Sequence, residues 1–465
     1  MPIIIPANSA VGGGFDVDNS LRFNRPSSDY LNRTQSGGSA TTKITFSTWL
    51  KRTNLGIETW MFDAPNSSNQ SDGFRHLTND TLQFLLNDNY VLTTNRVFRD
   101  TSAWYHLVVV MDTTQGTDSN RVKIYVNGVQ ETSFSATSYP SQNATAQGLF
   151  ISGRPLYIGR QSGGNYLDGY LAETVFIDGQ ALAPTSFGEF DEDSGVWKPI
   201  DVSGLTFGTN GCYLDFEDSS ALGNDAAGSN NFTVNNLAAT DQSTDTCTNN
   251  FCTFNILDNI NASTFAEGNL KITTVSGNYS PNTSTFRVIE GKWYWEIKLV
   301  QDTNTGANEV DMIGFSNNSV QATSTNPSSI GINYRGNGKI WNYGGSAETT
   351  GYATFSTGDI IMVAADLTGA TTGKLYFGVN GTWGNSGNPE TGANSFDFTK
   401  GTEPWGPSVT CYSSGSSAIF EANFGNPPFS ISSGNADGNG YGNFEYAPPS
   451  GYLSLNSKNL SEVLS

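Results

Sequence analysis

Positive charge is scarce in this chain: 23 lysines and arginines face 43 aspartates and glutamates, a net charge of −20 over 465 residues. A surface so poor in cations repels nucleic acid and anionic membranes. No basic run interleaved with aromatics offsets this, so a nucleic-acid partner is not expected. Histidine occurs twice, at His76 and His106. Apolar runs are short, none approaching the roughly 20 residues of a membrane-spanning helix, so membrane insertion is not expected either. A 3.6-residue apolar stripe longer than two turns is missing, except weakly at the extreme C-terminus.

What is present points to sheets. Aromatic residues make up 12% of the chain, glycine occurs 51 times, and Asn, Ser and Thr are abundant. Aromatic and β-branched cores with frequent turn residues suit an all-β chain. The length predicts two or three domains. The start, MPIIIPANSAVGGGF, has no basic region and only three consecutive isoleucines between Pro2 and Pro6. It does not read as a signal peptide, so a chain made in a cytoplasm is expected. The four cysteines agree with that. Cys247 and Cys252 stand five apart, which leaves a small disulfide loop geometrically open; free thiols fit better. Their spacing is not that of a zinc knuckle, and both histidines are distant in sequence.

Strand signals recur along the chain. In KITFSTWLKR, residues Ile44, Phe46, Thr48 and Leu50 take one face and Thr45, Ser47, Trp49 and Lys51 the other. Both faces carry bulk, as in a strand buried on two sides. The stretch KIYVNGVQ predicts a hairpin turning at Asn127-Gly128, where both residues can adopt positive φ. KLYFGVNGTW repeats the device at Asn380-Gly381.

The succession TFSTWLKR, WYHLVVVMD, VKIYVNGV and LYIGRQSGGNYLDGYLAETVFIDGQAL resembles the laminin-G/concanavalin A-like lectin family. That resemblance implies an antiparallel two-sheet jelly roll over residues 15–199, with Leu167 and Leu171 inward and Glu173 near a strand end. The later succession GKWYWEIKL, DMIGFSN, GDIIMVAAD, KLYFGVNG and EANFG resembles a SPRY domain, a second sandwich within residues 256–465. The predicted fold class is therefore all-β, with two antiparallel β-sandwiches. Residues 200–255 between them read as a loop-rich connector with one short strand. Residues 1–14 read as an extended docking segment. As a whole, the architecture and the PPSGYLSLNSKNL tail resemble structural proteins of tailed bacteriophages of marine bacteria.

Catalytic patterns are thin. GEFDEDSG carries Glu189, Asp191, Glu192 and Asp193. A retaining glycosidase needs two carboxyl groups about 5.5 Å apart on one face of a strand, hence period-2 spacing. Glu189 and Asp191 keep that spacing, but the third member does not, and a solvated loop is the simpler reading. There is no G-x-S-x-G, no H-E-x-x-H and no phosphate-binding loop. His106 lies within a strand pattern and reads as packed or hydrogen-bonded. His76 lies near a loop, where it could touch a ligand.

Loop oxygens could hold Ca²⁺: Asp63, Asn66 and Asp72; Asp118; and Asp215, Glu217 and Asp218. None has EF-hand spacing. Sugar recognition requires aromatic faces beside hydrogen-bonding side chains. Trp60, Asp72, Arg75, Tyr90, Asn165 and Tyr166 offer these in the first sandwich. Asn333, Tyr334, Arg335, Trp341, Tyr343 and Trp383 offer them in the second, where SPRY resemblance implies partner-binding loops. The sequence thus predicts a non-enzymatic virion protein, made in the host cytoplasm and displayed on the particle surface as tail fibre, spike or head appendage. Its expected partners are other virion proteins, further copies of itself and a host-surface polysaccharide. The alternatives are a capsid or tail cement protein without a host ligand, and a glycoside hydrolase.

Overall fold

The computed structural model describes residues 14–37, 41–259, 261–275, 279–303, 311–317, 331–341, 348–412 and 415–463. The docking segment read at residues 1–14 lies outside them except for Gly14. The chain divides into two compact units after Asn250.

The first unit opens with β1 (Ser20–Phe23), β2 (Tyr30–Thr34), β3 (Lys43–Arg52), β4 (Thr59–Pro65), β5 (Ser71–His76) and β6 (Thr81–Leu86). It continues with β7 (Asn89–Val97), β8 (Trp104–Asp112), β9 (Val122–Val126), β10 (Val129–Gln130), β11 (Phe134–Thr137) and β12 (Pro155–Ile158). Next come β13 (Gly169–Asp178), β14 (Gly188–Phe190), β15 (Trp197–Pro199), β16 (Cys212–Leu214), β17 (Thr233–Asn235) and β18 (Gln242–Ser243). One antiparallel sheet, the back sheet, has the order β10-β9-β8-β3-β13-β1-β18, with β16 also on β13. The other, the front sheet, runs β11-β7-β6-β5-β4-β12-β2-β17. Their facing sides share one core. Phe46, Leu50, Leu107 and Phe176 of the back sheet pack with Phe62, Phe74, Phe84 and Ile158 of the front.

Residues 200–250 are therefore not a connector. β16 pairs with β13, β17 with β2, and β18 with β1. β16 is the one short strand expected there, within CYLDFED; β17 and β18 are only three and two residues long in a polar run, too short to show alternation, which is why the sequence reads as loop there.

The second unit contains β19 (Phe254–Asn259), β20 (Thr264–Ala266), β21 (Lys271–Thr273), β22 (Asn282–Ser284), β23 (Lys292–Gln301), β24 (Met312–Ser316), β25 (Ile332–Arg335) and β26 (Lys339–Trp341). After β27 (Glu348–Thr349) follow β28 (Ile360–Asp366), β29 (Thr372–Val379), β30 (Thr382–Trp383), β31 (Phe396–Thr399), β32 (Gly406–Thr410), β33 (Ile419–Asn423) and β34 (Leu453–Ser454), then the helix α1 (Ser457–Val463). Its sheets run β19-β22-β32-β24-β25-β26-β27 and β20-β21-β33-β23-β28-β29-β30. Trp293, Trp295, Ile297 and Leu299 of β23 point into the core between them, meeting Phe315, Ile332 and Val409. Among the described residues the chain is all-β apart from α1 and short 3-10 turns, and both units are antiparallel sandwiches, with one short parallel pairing of β34 on β23 in the second.

Both Asn-Gly hairpins form. Asn127 and Gly128 sit at φ 48° and 78°, Asn380 and Gly381 at 48° and 84°. In each, the asparagine N–H and side-chain oxygen engage one residue of the adjacent strand: His106 at 2.8 and 2.7 Å, Ile360 at 2.9 and 2.9 Å. Each glycine is also roofed by an aromatic ring, Trp197 over Gly128 and Tyr446 over Gly381, where a Cβ would collide.

The outer face of the back sheet is covered. Trp49, Trp104, Tyr170 and Ala172 pack under Val17, Trp197 and Cys247, while Val108, Val175 and Ile177 pack under Phe187 and Val202. The four cysteines are buried and no disulfide joins them. Lys51 projects into this layer and donates to Asp245 at 2.6 Å and to Asn250 at 2.7 Å. Trp104 Nε1 donates to the same carboxylate at 3.1 Å. Glu173 lies mid-strand in β13, not near its end, at a bulge where pairing with β3 slips between Ala172 and Val175. Its φ is 47°, and its carboxylate accepts the Tyr213 hydroxyl at 2.7 Å.

Breaking either arrangement has a direction. Lys51→Met leaves Asp245 charged and buried, and should lower the first unit's stability by about 3–5 kcal/mol in a urea titration of the full chain, leaving the second unit's transition in place. Burial, reinforced by Asp215, Glu217 and Asp201, pushes the Glu173 carboxyl up to about 8. A raised carboxyl keeps its proton in the folded state, so its contribution is present at low pH and is lost as pH rises through about 8. Wild type should therefore lose stability from pH 5 to 8.5 relative to Glu173→Gln, read as diverging thermal midpoints.

Candidate functional site

With the back sheet covered, the front sheet's outer face carries the accessible side chains of the first sandwich. Alternation along β5 turns Arg75 outward, and a register shift in β4 between Trp60 and Phe62 turns Trp60 to the same side, directly opposite Arg75. The Trp60 ring beds against Gly73, whose missing side chain leaves the space, and Trp60 is wholly buried. Arg75 lies over that ring, its guanidinium 4.9 Å from the centroid, and also faces Tyr90 at 5.6 Å. Gln83 accepts two bonds from Arg75, at 2.6 and 3.0 Å. Tyr90, 55% exposed, is the open aromatic face of the group.

Glu58 ties the patch together. Its Oε1 accepts from Trp60 Nε1 at 2.8 Å, Arg75 Nη1 at 3.1 Å and Asn165 Nδ2 at 3.0 Å. Asn165 belongs to the loop between β12 and β13, which folds back over the sheet. That loop is pinned by Gly159 N–H on the Met61 carbonyl at 2.9 Å and by Ser162 N–H on Asp63 at 2.8 Å. The same loop carries Arg160, whose guanidinium stands 4.5, 5.0 and 5.4 Å from the rings of Tyr30, Tyr157 and Tyr166.

Of the residues expected in the first sandwich, Arg75, Tyr90, Asn165 and Tyr166 come together on this face. Trp60 is beneath it and cannot stack on a ligand; it sets the height of Arg75. Asp72 is buried elsewhere. Its oxygens accept the main-chain N–H groups of Asn87, Gln147, Gly148 and Leu149 at 2.7–3.0 Å, so it fastens loops. Sequence reasoning missed Glu58, Gln83, Arg160, Tyr30 and Tyr157. Arg160 had a signal, since it lies two residues after β12 and just before the S-G-G-N turn. Glu58 had none, because its role depends on three partners distant in sequence.

In the second sandwich Asn333, Arg335 and Trp341 come together on paired strands, while Tyr334 and Trp383 lie apart from them. Tyr334 is a core residue: β25 turns it inward against Phe355 and Phe377, at 5.0 and 5.1 Å, and its hydroxyl donates to the Ala353 carbonyl. Asn333 is buried. Arg335 stacks on Trp341 at 5.1 Å. Trp383 packs half-buried against Tyr294 and Tyr376. Tyr343 lies outside the described residues.

Neither histidine is available. His76 is turned into the core beside Phe98, and burial holds it well below the usual imidazole range. The loop reading failed because residue 76 ends β5 on its inward side. His106 accepts Trp197 Nε1 on Nδ1 at 2.9 Å, so its Nε2–H faces Ser47 Oγ at 2.8 Å, and burial pushes it down to about 3. The carboxylates of GEFDEDSG are held in an exposed hairpin, β14-β15. Lys198 bridges Glu189 at 3.4 Å and Asp191 at 3.2 Å. Asp191 caps the turn, and the Ser194 N–H holds its carboxyl below the usual range.

The candidate calcium ligands also serve their own loops. Asn66, Asp215 and Asp218 each accept the N–H two residues ahead, and Asp118 accepts that of Ser119. Among the described residues no group of three or more His, Cys, Asp or Glu is placed to hold a metal ion. Among them also no helix is long and apolar enough to cross a membrane.

No curated protein sequence matches the chain. Among solved structures, the SPRY domain of human HERC1 shares 19% identity, covers 36% of this chain and 96% of its own, and has a TM-score of 0.28. A heptameric SAP-like pentraxin from Limulus polyphemus shares 18%, covers 37% and 80%, and has a TM-score of 0.27. A putative carbohydrate binding protein from Bacteroides ovatus shares 16%, covers 48% and 59%, and has a TM-score of 0.33. Residues 25–185, which hold every member of the front-face site, match a laminin G family profile described as the concanavalin A-like lectin/glucanases superfamily.

Proposed function

We propose that this chain is a non-catalytic adhesion protein whose first sandwich holds a glycan on the outer face of its front sheet. One observation carries the reading: Tyr90 presents an open ring beside Arg75, whose position is fixed by Glu58, Gln83 and the buried Trp60. An open aromatic face next to an immobilised hydrogen-bond donor is what a pyranose requires, C–H groups stacking on the ring and hydroxyls on the donor. Asn165 adds an amide at the same place. The lectin/glucanase profile over residues 25–185 supports a carbohydrate ligand. That profile also covers glucanases. The binding reading is preferred because the carboxylates at 189 and 191 are locked to Lys198 and to a turn.

We place this protein on a phage particle, as fibre, spike or head appendage, bound to other virion proteins and to copies of itself. That placement rests on the resemblance of its architecture and tail to such proteins, and on an acidic surface suited to display away from packaged nucleic acid. Binding of the full chain to an array of bacterial surface polysaccharides tests the ligand. Tyr90→Ala and Arg75→Met should each weaken the best signal by about tenfold or more, with the circular dichroism spectrum retained. Clean non-binding by folded wild type would instead favour a cement protein.

A further inference from the structure

The cage around Arg160 differs from the Arg75 patch in one respect that bears on ligand chemistry. Arg75 meets Glu58, and Arg22, Arg52, Arg96 and Arg99 each meet a carboxylate within 3.3 Å. Arg160 has no ion pair among the described residues. Arg33 and Arg121 likewise bond only neutral oxygens, but neither is ringed by three tyrosines as Arg160 is. It is also held in place. Nε donates to the Gln161 carbonyl at 2.7 Å and Nη2 to the Ser162 carbonyl at 2.5 Å. Tyr30, Tyr157 and Tyr166 surround the guanidinium, with ring centroids 6.2 Å apart in the Tyr30–Tyr157 and Tyr30–Tyr166 pairs. All four side chains are half-buried, so the cage is open to solvent.

We propose that Arg160 and its tyrosines form a subsite for the oxyanion of an acidic sugar, a uronate or a sulfate ester, within the glycan-binding face argued above and resting on that reading. Tyrosine rings over a guanidinium stabilise its charge and leave its N–H edge for an anion. Nη1 has no hydrogen-bond partner among the described residues, and a planar N–H edge matches a carboxylate or sulfate. The sugar bearing the anion would lie against Tyr166 or Tyr30. Asn165, five residues along the same loop, bonds Glu58 of the first patch. The Tyr90 and Tyr30 strands are separated by five strand steps, roughly 24 Å across the sheet at about 4.8 Å each. That span suits an oligosaccharide read at both ends.

The test is titration of the full-length protein with alginate (uronate), dextran sulfate (sulfate ester), carboxyl-reduced alginate and dextran. Wild type should bind one of the two acidic polymers at least about tenfold tighter than its neutral counterpart, and which one separates the two oxyanions. Arg160→Gln should abolish that preference while weak binding to the neutral polymers persists. Arg160→Lys should restore little of it, and its thermal midpoint shows whether the loop is intact when the charge is kept. Equal binding of acidic and neutral polymers by wild type would overturn the acidic subsite and leave the glycan reading standing. An undiminished preference in Arg160→Gln would do the same. Absence of binding to all four polymers and to the array would overturn both.

Discussion

Lys51 and Asp245 meet at 2.6 Å with both side chains wholly out of water. Such a pair forms only when its remaining hydrogen-bonding capacity is filled, because desolvation of two charges costs more than their attraction alone returns. Here Asn250 and Trp104 fill it. Asn250 in turn donates to the Ser102 carbonyl at 2.7 Å, and Ser20 Oγ donates to the Asp245 carbonyl at 2.6 Å. The pair thereby fixes residues 243–250 across the back sheet. With that strap in place Trp49, Trp104 and Tyr170 are sealed from solvent, and ligand chemistry is left to the front sheet. Where the proposed glycan face lies follows from which face the buried charges close.

The second unit reaches the same result with a single carboxylate. Glu296 stands on the outer face of β23, fully buried, and accepts four bonds: from Tyr294, from Asn423, and from the main-chain N–H groups of Glu445 and Tyr446, at 2.7–3.1 Å. Those last two bonds draw residues 443–446 over the sheet, bringing Phe444 onto Tyr294 and Met362. Tyr446 then roofs the hairpin glycine of that unit, as Trp197 does in the first. The repeated N-G hairpin is thus more than a turn. Its glycine is a flat landing for the ring of a covering segment, which any Cβ would lift away. This supplies a reason for two sandwiches to share the hairpin that does not depend on duplication.

The long strands were legible because β3, β8, β13 and β23 each run for nine or ten residues rich in apolar and aromatic side chains. Of the strands in residues 200–250 only β16, within CYLDFED, was legible; β17 and β18 were not, because two or three residues cannot display a period and their partners are up to 223 positions away. The site was legible by residue type and not by depth. Tyr90 and Trp60 look alike in sequence as aromatics near turns, yet one is open and the other lies under Arg75. What separates them is Gly73 on the neighbouring strand, a contact visible only once the register is known. Tyr334 was misplaced for a related reason. In SIGINYRGNGKIWNYG the alternation starts from Ile332, so Tyr334 shares its inward face, while the density of polar neighbours suggests a loop.

The two arginines of the front face show how one sheet can carry two recognition chemistries. Arg75 is neutralised by Glu58 and spread over Trp60, so an approaching ligand meets oriented N–H groups with little net charge. Hydroxyl groups are the natural complement, and an anion there would face the Glu58 carboxylate at the same time. Arg160 bonds only main-chain carbonyls and aromatic faces, which orient it without cancelling its charge. An anion there meets an uncompensated cation in a site partly shielded by three rings, where water screens less. A charge on the ligand is thus unfavourable at one end of the face and favourable at the other. On the proposed reading, such a face selects for the position of an acidic sugar along a chain, and not merely for its presence.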